Sequence, residues 1–167
     1  IYHKFIDIVE DDQGTPTSIT FKNKEKFNFA FDLVDELSRR EPEKLAMLHI
    51  SKDKTVRRFT FTDIRRMSSQ AANYFASLGI TKGDRVMLIL KRHYQFWIAM
   101  IGLNKLGAIA IPAVDQLKEH DLEYRFNSAG VSAVVCTADS EVAQTIDNVV
   151  AKCPTVRDKI IVNGEKD

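Results

Sequence analysis

Between residues 79 and 112 the apolar and polar positions follow one order. A glycine-bearing polar turn comes first, then a short apolar run, a polar loop, a long apolar stretch, a glycine and a second short apolar run. Residues 86–90 (Val-Met-Leu-Ile-Leu) are apolar without alternation and of strand length, the pattern of a strand covered on both faces. Residues 95–106 are apolar almost all the way round, which predicts a helix packed against a sheet or a neighbouring domain. Gly107 stops that helix, because glycine enters the left-handed region without a side-chain penalty. Residues 108–111 then predict the next strand. Strand, helix and parallel strand make one right-handed βαβ unit, the piece from which doubly wound sheets are built.

The same reading extends to both sides. Residues 1–26 show no sustained period and are expected as an irregular arm, with turn chemistry at Asp11-Asp12-Gln13-Gly14-Thr15-Pro16. Residues 28–40 predict a helix with Phe31, Val34, Leu37 and Ser38 near one face and a basic last turn. Residues 45–50 and 56–59 predict a hairpin across the turn 51–54. Thr60 to Asp63 open a helix whose Ile64, Met67, Ala71, Tyr74, Phe75 and Leu78 recur at helical spacing. Residues 119–129 predict a helix with Leu122, Phe126 and Ala129 on one side, and residues 133–136 a strand. Asp139 or Ser140 caps a helix carrying Val142, Ile146, Val149 and Val150, and 159–162 is the last strand. The expected fold is an α/β domain with a largely parallel sheet flanked by helices and a small hairpin before it. The expected division is an arm over 1–26 and the α/β unit over 27–167.

Composition changes this picture little. A chain of 167 residues fits one domain and buries ~70% of its unfolded surface. The 24 basic and 23 acidic residues leave a formal net charge of +1, which argues against a dedicated nucleic-acid surface or an anionic-membrane surface. Cys136 and Cys153 form no disulfide framework, and Cys136 sits in an apolar strand pattern as a small hydrophobe. Nothing resembles a signal peptide and no apolar run has the length of a bilayer span, so a reducing cytoplasm is the expected compartment. The chain opens on Ile1 and closes on the polar stretch 163–167, and both ends are expected to be artificial boundaries.

Most searches for chemistry return nothing. There is no G-x-G-x-x-G, no G-x-S-x-G elbow and no H-x-x-x-H pair among His3, His49, His93 and His120. No metal site is expected. The five-residue step from Gly102 to Gly107 lies in an apolar stretch with no Lys-Ser/Thr after it, and helix packing accounts for it. Asp84 is expected to satisfy backbone donors in the turn before the strand, and Trp97 to lie in the core. One cluster has positional interest: Lys91-Arg92-His93-Tyr94 follows the carboxyl end of the 86–90 strand, where open α/β sheets place ligands. The loop 113–116, ending in Gln116, shares that sheet edge. The two readings of these loops are a ligand edge, with Lys91, Arg92 and Gln116 as the candidate contacts, and a solvated cap on the following helix. On chemistry alone no reaction is identified.

Several segments carry a resemblance. Phe59-Thr60-Phe61-Thr62-Asp63-Ile64 resembles the aromatic-Thr-aromatic-x-acidic-Leu opening of the adenylate-forming enzymes, the AMP-forming acyl-CoA synthetase superfamily. Asn73 to Val86 (NYFASLGITKGDRV) is similar to that family's Ala-Asn-x-Leu-x-x-x-Gly-Val-x-x-Gly-Asp-x-Val segment. Met100 to Pro112 (MIGLNKLGAIAIP) matches its Leu-x-x-x-Lys-x-Gly-Ala-x-x-x-Pro segment. Residues 119–137 resemble the region that follows, with Tyr124, Arg125 and Ser128 in register. The ordered set covers about 28–162. Phe27-Asn28-Phe29-Ala30, Phe96-Trp97 and Gln116-Leu117-Lys118 look most like the acetate-to-medium-chain acyl-CoA synthetases. His93 departs from the pattern, since many relatives have Asn after a proline there, and Ala113-Val114-Asp115 departs from peptide-synthetase adenylation domains.

The resemblance implies a parent enzyme that joins ATP and a carboxylic acid into an acyl-adenylate with magnesium, then transfers the acyl group to coenzyme A. The family's phosphate loop, Tyr-x-x-Thr-Glu segment, ribose-binding Asp and catalytic Lys have no counterpart in these 167 residues. The chain is therefore expected to be the N-terminal part of the large domain, with no catalytic residue and no metal ligand of its own. It should not turn over or bind ATP, Mg2+ or coenzyme A tightly alone, and it should self-associate through surface that the rest of the domain covers. The alternatives are a related enzyme with a carrier-protein acceptor and a free-standing flavodoxin-like binding module.

Overall fold

A computed structural model describes residues 2–138 and 140–162. The capping role expected of Asp139 and the polar stretch 163–167 lie outside the described residues.

Four parallel strands form the main sheet: β5 (Arg85–Ile89), β6 (Ile109–Pro112), β7 (Ala133–Thr137) and β8 (Asp158–Val162), in spatial order β6-β5-β7-β8. Val86 stands opposite Ala110 on one side and Ala133 on the other, and Val135 stands opposite Ile160. Strand side chains alternate between faces, so β5 feeds two cores at once. Val86 and Leu88 pack with Val135, Phe75, Leu103 and Ile80 on one face. Met87 and Ile89 pack with Val134, Phe126, Leu122 and Ile146 on the other. Helices α2 (Phe61–Ser77) and α3 (Gln95–Leu106) cover the first face, and α4 (Glu119–Ala129) and α5 (Val142–Val150) the second.

Local chemistry sets the element ends. The Thr60 hydroxyl accepts from the Asp63 N–H, and the Asp63 carboxylate accepts in return from the Thr60 N–H, a reciprocal capping box. Gly107 ends α3 at φ 71°. Asp84 holds the turn before β5: its carboxylate accepts from the Thr81 N–H at 2.8 Å and from the Ser132 hydroxyl at 3.0 Å. The Thr81 backbone donor first, and then the Ser132 and Thr81 hydroxyls, hold the Asp84 carboxyl below the usual carboxylate range. Arg85 donates to the Ala129 and Gly130 carbonyls at the end of α4, placing a cation where the helix dipole is negative.

The antiparallel pair β3 (Leu45–Ile50) and β4 (Val56–Thr60) precedes α2 as expected. Ahead of it the helix expected over 28–40 is a π-helical segment, Ala30–Asp35, running into α1 (Glu36–Arg40). The Asn28 side chain accepts from the Ala30 N–H and donates to the Asn104 carbonyl at 2.7 Å, so the segment starts tethered to α3. Lys105 then binds it from inside. Its ammonium lies 2.9 Å from the Asp35 carboxylate, donates to the Ser69 hydroxyl and the Arg65 carbonyl, and both charged side chains are less than a tenth exposed.

Four expectations change. Residues 1–26 are not an irregular arm throughout: β1 (Ile6–Glu10) and β2 (Pro16–Phe21) pair antiparallel across the 11–16 turn, with nearly every residue exposed. Phe31 is exposed against Lys105, because the π-helical winding turns Val34, Asp35 and Ser38 inward. Tyr74 and Ala129 face outward, since α2 buries Ile64, Ser68, Ala72 and Phe75 while α4 buries only Leu122 and Phe126. Trp97 is 53% exposed and not core, on the outer side of a helix whose inner side is Ile98, Ala99, Gly102 and Leu103.

Gly102 marks a close approach of the two helices on the first face: a Cβ there would sit 3.0 Å from both the Ala71 Cβ and the Ser68 carbonyl oxygen. Gly102→Ala should therefore destabilise the chain by about 1–3 kcal/mol despite alanine's better helix propensity, as measured by urea unfolding. A neutral or stabilising result would show that α2 and α3 are not so tightly crossed. The depressed Asp84 carboxyl gives a second expectation. Its contribution is fully present above the unfolded carboxylate value of about 3.9 and is lost as pH falls through the lower folded value. Asp84→Asn should lower stability at neutral pH and flatten the acid limb of the stability–pH curve.

Candidate functional site

The three candidate residues come together. At the carboxyl end of β5, Lys91 adopts a left-handed conformation (φ 47°) and His93 N–H donates to the Leu90 carbonyl at 3.0 Å, so the chain turns sharply before α3. At the end of the neighbouring strand, Ala113 N–H donates to the Leu88 carbonyl, which brings the 113–116 loop alongside. Asp115 then lies 3.3 Å from the Lys91 ammonium. Lys91, Arg92 and Gln116 line one cleft of about 750 Å³, closed on its far side by His49, Ser51 and Lys52 of the β3–β4 hairpin.

Two buried contacts hold these segments in place. His93 is 6% exposed, and its Nε2 lies 2.8 Å from the hydroxyl of Thr137 at the carboxyl end of β7. Tyr94 packs its ring against Phe59 at 4.9 Å and His49 at 5.5 Å, with the Arg57 guanidinium 5.4 Å from its centroid. The first contact ties the Lys91–Arg92 loop to the sheet; the second ties the hairpin to the start of α3. His49, Lys52 and Thr137 escape a reading by sequence spacing, because they arrive from segments tens of residues away and carry no local signature.

A second hollow, about 360 Å³, is lined almost wholly by apolar side chains, among them Phe29, Met47, Phe61, Trp97 and Met100. It lies between α2, α3 and β3. Neither hollow contains the Cys136 or Cys153 side chain. Burial raises both thiols above their ordinary value, which keeps them protonated and inert as nucleophiles. Among the described residues no three His, Cys, Asp or Glu side chains group to hold a metal, and no helix is long and apolar enough to cross a membrane. The main cleft offers cations, an amide and a buried imidazole on a rigid sheet edge. Such a set has the chemistry to bind and orient a ligand; among the described residues it holds no activated nucleophile.

A parallel α/β sheet with its cleft outside the carboxyl ends of the strands belongs to the open-sheet ligand-binding class. Residues 34–167 match the family model described as AMP-binding enzyme, and the chain belongs to that family. It is 32% identical over 145 residues to rat (Rattus norvegicus) mitochondrial acyl-coenzyme A synthetase ACSM5, covering 83% of this chain and 25% of that protein. The human (Homo sapiens) mitochondrial acyl-coenzyme A synthetase ACSM2A is also 32% identical, over the same shares. Among solved structures, a Mycobacterium tuberculosis fatty acyl-CoA synthetase superposes with a TM-score of 0.72 at 25% identity, over 84% of this chain and 27% of that one. The N-terminal domain of FACL13 from Mycobacterium tuberculosis gives 0.73 at 26% identity, over 81% and 34%. The chain thus spans about a quarter of the length of the curated relatives it matches.

Proposed function

We propose that the chain is the N-terminal part of an ATP-dependent acid–thiol ligase that makes acyl-coenzyme A from a short- to medium-chain carboxylic acid. The family match over 34–167 carries this reading, and relatives named acyl-coenzyme A synthetases support it. In the first step a carboxylate oxygen attacks the α-phosphorus of ATP and pyrophosphate leaves. In the second the coenzyme A sulfur attacks the acyl carbon, the bond to the phosphate oxygen breaks, AMP leaves with the electron pair and the thiol proton passes to solvent. Mg2+ in the parent offsets phosphate charge; no ligand for it is assigned to this chain.

In this reading residues 27–167 are one subdomain of a larger catalytic domain, with 1–26 an appended arm. Lys91, Arg92 and Gln116 are its ligand-facing residues, and the reaction needs groups supplied by the rest of the parent. The two buried, reduced cysteines suit a reducing compartment such as the cytoplasm. The isolated chain presents Ile50, Val56 and Trp97 more than half-exposed and Leu48 nearly so, and self-associates through that face; sedimentation should show its mean mass rising with concentration.

The parent should exchange labelled pyrophosphate into ATP in the presence of a short- or medium-chain acid, and release AMP when coenzyme A is added. AMP release that requires a carrier-protein thiol and ignores coenzyme A would replace this reading with that of a carrier-loading enzyme. The 167-residue chain alone should show no exchange and no tight, stoichiometric ATP binding by calorimetry.

A further inference from the structure

We infer that the β1–β2 ribbon is a dimerisation surface: its apolar face stacks antiparallel on the same face of a second copy, with the acidic tip of each ribbon over the basic base of the other. The ribbon precedes residues 34–167, which match the family, so this surface is an addition to the shared domain and goes beyond the function proposed above.

Register is the first argument. Ile6 stands opposite Phe21 and Ile8 opposite Ile19, so these four side chains share one face of the ribbon. The other face carries Asp7, Ser18 and Thr20, with Val9 among them, and Asp7 pairs there with Lys22. All six residues of β2 and four of the five in β1 are exposed; on the apolar side Ile19 is 53% and Phe21 58% exposed. A two-stranded ribbon is marginal in water unless further strands or a packed element cover its apolar face. Sheet faces stack about 10 Å apart with side chains interleaved, and an identical ribbon offers a face of the same size.

Charge names the occupant. Glu10, Asp11 and Asp12 stand at the tip, with no basic residue between positions 10 and 16. Asp11 accepts from the Thr15 and Gln13 N–H groups, which hold its carboxyl below the usual carboxylate range, so the tip stays anionic. At the open end Lys4, Lys24 and Lys26 stand beside one carboxylate, Glu25, while Lys22 is already paired with Asp7. The five residues of β1 span about 17 Å, well beyond the screening length at physiological salt, so tip and base do not neutralise each other within one ribbon. A second ribbon stacked antiparallel brings tip over base at both ends, and its two-fold axis sets Ile8 and Ile19 against their own counterparts. Parallel stacking would set tip on tip and base on base. Pairing along the open β2 edge would double the apolar face and leave it wet.

Sedimentation equilibrium of the 167-residue chain measures the association, and exchanging charge between tip and base identifies its geometry. Glu10→Lys/Asp12→Lys and, separately, Lys24→Glu/Lys26→Glu should each weaken dimerisation by about tenfold or more, because like charges then meet at both ends. All four residues are exposed, so the melting temperature should be kept. An equimolar mixture of the two variants should recover the lost affinity, since each altered end then meets its opposite. Added salt should weaken the dimer without abolishing it, because screening acts on the ends and not on the apolar face; Ile19→Asp should abolish it. Association through the β3–β4 hairpin face is common to every variant and does not respond to these exchanges. Unchanged association in both charge variants, no recovery on mixing, or a dimer that survives Ile19→Asp overturns the inference. So does a parent whose mass is unchanged by Ile19→Asp while its melting temperature falls, which would assign the face to the rest of that chain. No arm reads the pyrophosphate exchange of the parent, so the two readings fail separately.

Discussion

Val86 to Leu90 are all 1% exposed or less, and the burial of this one strand on both faces is the constraint from which the other layers follow. At about 1.5–3 kcal/mol for each fully buried large aliphatic side chain, the strand cannot surrender either cover. Leu88 requires the α2–α3 pair and Met87 requires α4 and α5. Parallel neighbours on both edges of β5 satisfy its backbone, and parallel pairing in turn requires the crossover helices. A strand held this firmly delivers its next residues to a fixed point. That point is Lys91 and Arg92, so the place of the cations is a consequence of the core.

The second cover is held by polar as well as apolar contacts. Lys105 joins the end of α3 to α2 through Ser69 and Arg65 and to the π-helical segment through Asp35. A buried pair of this kind adds little net stability, since desolvation offsets attraction, yet removing one partner leaves an uncompensated charge costing about 3–5 kcal/mol. Its effect here is to select one docking of the 30–40 segment against the two helices. The segment needs such selection, because it turns Phe31 outward and offers only Ala30 and Val34 as buried apolar anchors.

The central unit was legible in the sequence because two signals agreed at each step: an unbroken apolar run for β5, an apolar stretch of helical length for α3, and glycine at the stops. The outer layer was less legible for definite reasons. In a helix as apolar all round as α3, periodicity cannot say which side faces the sheet, so Trp97 reads as core and stands exposed. The ribbon β1–β2 buries almost nothing, and a strand without a core face shows no alternation to read. Polar loops 91–94 and 113–116 could be placed on one sheet edge from topology alone. Their partners His49 and Thr137, and the Lys52 that lines the same cleft, could not, since proximity across 40 residues leaves no trace in local spacing.

The cleft joins these two levels. A net charge of +1 says nothing of local field, and it is the fold that gathers Lys52, Lys91 and Arg92 around Asp115 in the cleft at the end of β5. Had Lys91 and Arg92 been merely solvated, the cheapest loop would have kept them flexible and left the sheet beneath apolar. Instead an imidazole and a hydroxyl are buried under them, 2.8 Å apart. Burying a polar pair costs desolvation that its own hydrogen bond only partly offsets. What the contact returns is a fixed position for the Lys91–Arg92 loop against the carboxyl end of β7.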